Sequence, residues 1–420
     1  MRRKKRGTVK LFLSKKPVQL ECSNNPLVYI INQLIKFASQ YSQWADLRHL
    51  GVMCWTIVGL IGEGSVNLTK WIDHIQTKAQ IAQSTQKRLS RWVNNPRINP
   101  AKLYSPLVKA VFANWKDPEI YLTFDTSMLW TGRVTRPADE YCLIRICVVH
   151  LGRAIPIGWR VLKHKSSSVK LDTYKDLLKR VSKLLPANPK VVLLADRGFA
   201  DAQLVRYIRG LGWHCRIRIK GNFLLHHPRH GWIRVTKFPM SLGTAQLIHN
   251  VIIHKHNSLT DVHLALGWEE TSGEKWYILS TEPTTLQTFR EYGFRFTIEE
   301  NFKDDKSSGF NLENSKLRSA PALSRLCLVM AMTTLFLTAS GVEVVVSGQR
   351  RLVDPHWFRG SSYLKIGWSW VKRAIINGWN LLCSASFTTN IDPDPVKASH
   401  SQYLQKKYRI EFKAHKYVWA

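Results

Sequence analysis

The segment from Tyr292 to Lys306, YGFRFTIEENFKDDK, holds the most chemically suggestive side chains of the chain. Arg295, Glu299 and Lys306 follow Tyr292 by three, seven and fourteen positions. At about 100° per residue, these steps return all four side chains to one face of a helix. A carboxylate flanked by two cations and a phenol suits a core face poorly. The spacing therefore predicts a site that holds a metal ion and binds phosphate.

Two aspartates follow apolar runs that the sequence predicts to be strands. Asp125 follows YLTF, and Asp196 follows VVLLA and precedes Arg-Gly-Phe. In open α/β sheets functional groups gather at the carboxyl ends of strands, although aspartate is also common in turns and caps. With Glu299, these residues form a set of three carboxylates from separated segments. Such a set suits two Mg²⁺ ions, with Mn²⁺ as a substitute, that assist phosphoryl transfer.

The remaining acidic residues and the histidines are expected to have ordinary roles. Glu300 lies about 100° from Glu299 on a helix and should point elsewhere. Asp304 and Asp305 are expected to be exposed to solvent. The residues expected in loops or caps are Asp139, Glu140, Asp172 and Asp201. The histidines at 226, 227, 230, 249, 254, 256 and 263 do not follow a standard zinc-ligand spacing, and surface contacts are the preferred interpretation.

The composition indicates an anionic partner and a reducing environment. The formal charge is +33, from 62 basic and 29 acidic residues. Nucleic acid is the usual partner of such a surplus, while an anionic membrane surface or a ribosomal contact remains an alternative. The seven cysteines lack a CxxC pair, as expected of reduced thiols in a cytoplasmic protein. The N-terminus lacks the features of a secretory signal. The apolar run at 326–346 is interpreted as a buried helix leading into a strand, without a membrane span.

The N-terminal part of the sequence predicts a basic arm followed by helices. Residues 1–16 carry eight basic residues and no acidic ones, and the apolar spacing over 26–113 is helical. The segment STQKRLSRWVNNPRI predicts a short amphipathic helix, capped by Ser84 or Thr85, that reads DNA in a helix-turn-helix arrangement. Its proposed contacts with DNA are Lys87, Arg88 and Arg91, and an ordinary solvated helix face is the alternative.

From residue 119 the pattern changes to strand, strand, strand, helix, strand, helix, strand. This order predicts a mixed sheet with helices on both faces. Arg216, Arg218 and Lys220 alternate along the fifth strand, so they should share one face and hold DNA backbone, unless that face is simply solvated. Residues 223–284 then predict a small antiparallel β subdomain, after which helices return.

The chain resembles the insertion-sequence-4 family of bacterial DDE transposases. The resemblance is carried by the Y-(2)-R-(3)-E-(6)-K spacing, by FDTS and by LADRGF, and covers about residues 40–345. It implies a ribonuclease-H-like sheet that is flanked by helices and interrupted by a β insertion. It also implies that Asp125, Asp196 and Glu299 are the catalytic metal ligands. The DNA contacts that it implies are Tyr292, Arg295, Lys306 and Phe296, the last standing where many relatives have tryptophan.

The resemblance implies a cut-and-paste transposase that works as a homodimer on paired transposon ends. It would cleave through a hairpin intermediate and join the ends to target DNA. A two-metal nuclease without strand transfer and a non-catalytic DNA-binding derivative remain the alternatives. The expected domains are a DNA-binding region at 1–115, a catalytic core at 116–222 and 285–346 around the insertion at 223–284, and a helical basic region at 347–420 that could mediate dimerisation.

Overall fold

The structure is a computed structural model. It describes residues 26–40, 42, 44–130, 140–227, 230–255, 257–306, 309–358, 361–381, 383, 410, 412 and 414–419. The basic arm expected over residues 1–16 lies outside the described residues, as do Asp139 and His256. The cysteines of the described ranges are free thiols, and most of them are buried.

The described N-terminal region is helical, as the apolar spacing predicts. Its helices are α1 (Pro26–Ser39), α2 (Leu47–Glu63), α3 (Ala82–Val93) and α4 (Pro100–Phe112), with a 3₁₀ turn over Lys70–His74. Asp46 caps α2 through its carboxylate, in the way that short polar residues satisfy free N–H groups at helix starts. The expectation that Ser84 or Thr85 caps α3 is wrong, because the helix begins at Ala82 and Thr85 is buried within it.

A mixed sheet follows, and its strand order confirms the predicted ribonuclease-H-like class. The chain forms β1 (Glu119–Trp130), β2 (Glu140–His150), β3 (Arg153–Lys163), α5 (Leu171–Ser182), β4 (Lys190–Ala195), α6 (Ala202–Gly210) and β5 (His214–Arg218). The spatial order is β3-β2-β1-β4-β5. β2 is antiparallel to β1 and β3, whereas β1, β4 and β5 are parallel to one another.

The inserted segment is antiparallel as expected, and it extends the same sheet. Its strands are β6 (Leu224–His227), β7 (Gly231–Arg234), β8 (Thr244–Ile253), β9 (Leu259–Trp268) and β10 (Lys275–Ser280). β10 pairs with both β5 and β9, so the insertion continues the hydrogen-bonding ladder of the first five strands. The first five strands therefore have a covered edge at β5.

The second half of the chain returns to helices and differs from expectation in three places. It forms α7 (Leu286–Gly293), α8 (Phe296–Lys306), α9 (Ala320–Val346), α10 (Tyr363–Asn377) and the strand β11 (Ala414–Trp419). The single helix expected over LQTFREYGFRFTIEENF is divided into α7 and α8. The helix and strand expected over 326–346 are one helix, and the terminal region ends in a strand that pairs with β8.

α9 is the one helix of the described ranges whose length and composition would allow it to cross a membrane, but most of its apolar window is buried inside the protein. It packs on β3 and α10. Gly341 and Gly367 allow the two helices to approach closely, since a Cβ at Gly341 would lie 1.9 Å from the Tyr363 carbonyl oxygen, and one at Gly367 1.8 Å from that of Leu337. The helix is thus part of the core beneath the sheet.

Candidate active site

Asp125 and Asp196 lie side by side on neighbouring parallel strands. The last residues paired between β1 and β4 are Phe124 and Ala195, and each aspartate is the next residue along the chain. β4 ends there, so Asp196 leaves the strand as predicted. β1 continues to Trp130, so the expectation that Asp125 ends its strand is wrong. Because adjacent parallel strands lie about 4.8 Å apart, this register brings the two carboxylates to one edge of the ladder.

Arg295 lies in a turn that separates α7 from α8, so the four motif residues are not on a single helix. Backbone hydrogen bonds there join residues three apart: the Arg295 N–H donates to the Tyr292 carbonyl at 2.9 Å and the Ile298 N–H to the Arg295 carbonyl at 3.2 Å. This tighter 3₁₀ pattern breaks the α-helical ladder just after Gly293. The kink directs the Arg295 side chain toward β1.

The Arg295 guanidinium connects two of the three carboxylates. One Nη donates to Asp125 Oδ2 at 3.1 Å, and the other donates to Glu299 Oε1. Arg295 is buried, and its charged group also lies 4.9 Å from the centre of the Phe296 ring. The structure therefore brings Asp125, Arg295 and Glu299 together as the sequence predicts, with the arginine between the carboxylates.

The electrostatics of Asp125 favour a further cation. Burial raises the pKa of Asp125 to about 6; Arg295 and a hydrogen bond from the Thr126 N–H oppose this, while Asp196 and Glu299 add to it. Arg295 and the Thr126 N–H thus only partly offset the cost of burying the Asp125 carboxylate. Carboxylates with raised pKa values cluster at functional sites.

The aromatic residues around Arg295 divide into packed and exposed rings. Tyr292 is fully buried, and its ring meets Trp276 and Phe296 edge-on with centroids 6.0 and 6.3 Å away. Tyr292 therefore packs in the core, and its contact with DNA stays a prediction. Phe294 is exposed and meets Tyr121 edge-on at 5.1 Å. Phe294 is not among the residues predicted from the sequence, although a large apolar residue between Gly293 and Arg295 at a helix break could have signalled an exposed ring.

Lys306 lies at the far end of α8 and also contacts β1. Its ammonium donates to the Met128 carbonyl at 2.8 Å and lies 3.7 Å from Glu313. Since Met128 lies three residues after Asp125 on β1, the lysine and the arginine contact the same strand on either side of Glu299. Both cations therefore contact β1, although Arg295 precedes α8 and only Lys306 belongs to it.

The predicted basic face on β5 is corrected by the structure. Arg216 is buried and paired with Glu282 at 2.7 Å and Glu291 at 3.0 Å. Arg218 pairs with Glu274 and stacks over Trp276 at 4.2 Å. Lys220 lies beyond the strand and is the exposed member of the three. The two arginines therefore dock α7 and the insertion against β5, and only Lys220 of the three has an exposed side chain.

The structure also corrects the expected exposure of Asp304 and Asp305, because both are buried. Asp305 forms an ion pair with Arg145 of β2, and Asp304 pairs with Arg153 of β3 at 3.2 Å. Sequence spacing could not reveal this, since the partners are about 150 or more positions away. These contacts hold α8 against the sheet.

On α3, Lys87 and Arg91 are exposed, whereas Arg88 is half-buried. Of the other acids, Glu300 pairs with Lys303 on the outer side of α8, Asp172 pairs with Lys175, and Asp201 caps α6. Glu140 begins β2. These residues lie outside the group formed by Asp125, Asp196 and Glu299.

Among the described residues, no three His, Cys, Asp or Glu side chains lie close enough together to hold a metal ion. At the candidate site the reason is visible, because the Arg295 guanidinium separates Glu299 from Asp125. The donor set nevertheless fits a hard divalent cation, since it consists of carboxylate oxygens that already hold one positive group. Asp125, Asp196 and Glu299 would hold such an ion, which would supply Lewis-acid assistance to chemistry at a phosphate.

The site and the sheet define a class: a ribonuclease-H-like fold with acidic residues on adjoining strands and a third on a docked helix. Residues 131–336 match the family model described as the transposase DDE domain. The match contains Asp196 and Glu299 and begins directly after β1, the strand of Asp125. This segment of the chain is thus similar to transposase DDE domains.

No curated protein sequence matches the chain. Among solved structures, it is similar to the cryo-EM structure of a piggyBac transposase synaptic complex with hairpin DNA. The identity is 10%, the alignment covers 90% of this chain and 89% of that chain, and the TM-score is 0.43. At that TM-score the likeness carries no weight for the fold or the function.

Proposed function

We propose that this protein is a DNA transposase of the insertion-sequence-4 type whose catalytic carboxylates are Asp125, Asp196 and Glu299. The observation that carries the proposal is the pair of aspartates on adjoining strands, with Glu299 joined to Asp125 through Arg295. The match of residues 131–336 to the transposase DDE domain supports the roles of Asp196 and Glu299.

The three carboxylates hold two Mg²⁺ ions in this proposal, and Mn²⁺ can replace them. Such a centre activates water or a 3′ hydroxyl and stabilises the leaving oxygen. Arg295, once released from Asp125 and Glu299, can bind a phosphate through two parallel hydrogen bonds. Lys306 supplies a second cation on the other side of Glu299. The two cations are thereby placed to hold the DNA backbone on either side of the scissile bond.

The substrate is double-stranded DNA, comprising transposon ends and a target. The charge of +33 supports this, because neutralising phosphates releases counterions and drives binding. Lys87 and Arg91 on α3 and Lys220 after β5 are exposed cations that can contact backbone. Arg88 is half-buried and contributes less. A homodimer on paired ends, a cytoplasmic location and the domain division given above belong to the same proposal.

The proposal also includes a hairpin intermediate in DNA cleavage. The freed 3′ hydroxyl attacks the opposite strand, and the resulting hairpin is reopened before joining. Folding a strand end back unstacks a base at a cost of a few kcal/mol, and an aromatic platform offsets about 1–3 kcal/mol of this. Phe294 is exposed, whereas Phe296 packs against Trp276 and Tyr292. Phe294 is therefore better placed than Phe296 to receive the base.

The test uses an end-labelled duplex carrying the DNA that flanks the reading frame, with a plasmid target. Asp125→Asn, Asp196→Asn and Glu299→Gln should each abolish Mg²⁺-dependent cleavage while leaving DNA affinity within about twofold. Glu300→Gln is the matched control, because Glu300 lies next to Glu299 but pairs with Lys303.

Joined products distinguish a transposase from the alternatives. Cut fragments without joining would indicate a nuclease, and DNA binding without any Mg²⁺-dependent nick would indicate a non-catalytic derivative. A carboxylate variant that still cleaves at a substantial rate would remove that residue from the proposed centre.

A further inference from the structure

A buried polar cluster joins α8 to β2 outside the group of catalytic carboxylates. The Arg145 guanidinium donates to the Asp305 carboxylate and, at 2.8 Å, to Asn301 Oδ1. It also lies 5.3 Å from the centre of the Phe302 ring. Arg145, Asp305 and Asn301 are all nearly inaccessible to solvent. An ion pair in such surroundings needs accurate geometry to offset the desolvation of both charges.

The strand register connects this cluster directly to the candidate site. Arg145 on β2 stands opposite Asp125 on β1. Residues that are directly opposite in an antiparallel pair have their side chains on the same face of the sheet, with Cβ atoms about 5 Å apart. Arg145 nevertheless donates to α8, and the cation that contacts Asp125 is Arg295. Asp305 thus holds Arg145 away from the carboxylate beside it.

The geometry of α8 relates this cluster to the position of Glu299. At about 100° per residue, Ile298, Asn301, Phe302 and Asp305 form one face of α8, and Glu299 lies about 110° from the centre of that face. All four residues of the face are buried, while Glu299 is half-buried. A rotation of α8 by one residue would turn Glu299 away from Asp125. Apolar contacts from Ile298 and Phe302 alone allow small rotations, whereas a two-point hydrogen-bonded ion pair does not.

We propose that Arg145 and Asp305 are positioning residues that fix the rotation of α8 and so place Glu299 beside Asp125. The proposal rests on the proposed function insofar as Glu299 is a metal ligand. It extends that function by assigning a role to two buried charges, on β2 and α8, that do not contact the reacting groups.

The test replaces both partners at once, because removing one would leave an uncompensated buried charge. Arg145→Met/Asp305→Leu preserves apolar volume, and such exchanges are often tolerated by the fold. With the full-length protein, Mn²⁺ affinity is measured by electron paramagnetic resonance. DNA affinity is measured by fluorescence anisotropy. Hydrogen exchange of residues 296–306 is followed by mass spectrometry. We expect Mn²⁺ affinity to fall at least tenfold and exchange in α8 to accelerate, with DNA affinity within twofold of the wild type.

Arg145→Lys is the milder variant, since it keeps the cation but loses the planar guanidinium that lies over the Phe302 ring, and it should give a smaller loss of Mn²⁺ affinity. Leu34→Ala, in a buried position on α1, controls for a general loss of stability. Wild-type Mn²⁺ affinity and α8 exchange in the double variant would overturn the proposal. Losses no larger than those of Leu34→Ala at a similar Tm would overturn it as well.

Failure of the proposed function is separately visible. If the wild type binds no Mn²⁺ and cuts no DNA, the metal role of Glu299 is wrong. Hydrogen exchange of α8 in the double variant then still decides whether Arg145 and Asp305 fix the helix: accelerated exchange supports that fixation, and unchanged exchange refutes it.

Discussion

Replacement of Arg295 by methionine should strengthen the binding of a divalent ion, even though it removes a residue of the site. The arginine side chain is 6% exposed and contacts Asp125, 19% exposed, and Glu299, 38% exposed. A metal ion bound to the same carboxylates would compete with this guanidinium. Arg295→Met removes the competitor and keeps much of the apolar contact with Phe296.

The magnitude follows from the charges and their exposure. Two unit charges about 4 Å apart interact by about 4 kcal/mol at an effective dielectric constant of 20. Glu299 is more than a third exposed, so solvent strongly screens its interaction with the guanidinium. A gain of about 1–2 kcal/mol remains for metal binding, or roughly tenfold in Kd. Without metal, the variant should lose about 1–3 kcal/mol of stability, because buried Asp125 loses its cation.

The assay combines thermal unfolding with Mn²⁺ titration. Arg295→Met should unfold at a lower temperature than the wild type without metal, and its Tm should rise more steeply with Mn²⁺ concentration. DNA cleavage by Arg295→Met should nevertheless be impaired, because the proposed bidentate contact of Arg295 with phosphate is lost. Lys303→Met is the control, since Lys303 lies on the same helix and pairs with Glu300 on its outer side. Weaker Mn²⁺ binding in Arg295→Met than in Lys303→Met would refute the cation-exchange reasoning.

Three further predictions concern pH, salt and the aromatic rings. Burial raises the pKa of Asp125 to about 6, so below pH 6 a proton competes with metal there. The half-saturating Mn²⁺ concentration should rise about tenfold per pH unit below 6 and level off above it, and a flat profile from pH 5 to 7 would contradict this. DNA affinity should fall steeply with salt, with a log–log slope of several units, given the charge of +33; a nearly flat dependence would rule out binding dominated by backbone charge. Phe294→Ala should spare nicking and deplete hairpins on a gel time course, whereas Phe296→Ala should lower Tm more than it changes hairpin yield. The reverse pattern would assign the stacking role to Phe296.

The sequence predicted the elements that carry the site, because those elements follow local patterns. Apolar runs ending in aspartate indicated β1 and β4, and the change of period near residue 119 indicated a mixed sheet. Their parallel pairing then places Asp125 beside Asp196 without any further information. The extension of β1 beyond Asp125 was missed, since FDTSMLW mixes polar and apolar residues at a point where pairing with β2 alone sustains the strand.

Long-range partners account for most of what the sequence could not predict. Asp304 and Asp305 belong to a charged run that is typical of an exposed helix end. They are buried because Arg153 and Arg145 meet them from strands far away in sequence. Arg216 is a further example of this effect. Its alternation with Arg218 indicated an exposed basic face, but Glu282 and Glu291 pair with Arg216 and cover its side chain. Burial of a charged side chain depends on its ion-pair partner, and the local spacing of residues in the sequence does not reveal that partner.

The break between α7 and α8 shows why the single-helix interpretation of the Tyr292–Lys306 spacing fails. Tyr292 packs with Phe289 and Trp276 and anchors α7 to the insertion, whereas Glu299 and Lys306 belong to a helix docked on β1 and β3. The turn at Arg295 joins the two parts and directs its cation between Asp125 and Glu299. The Arg295 guanidinium thus neutralises part of the charge of Asp125 and Glu299, which reduces the repulsion between carboxylates brought close together.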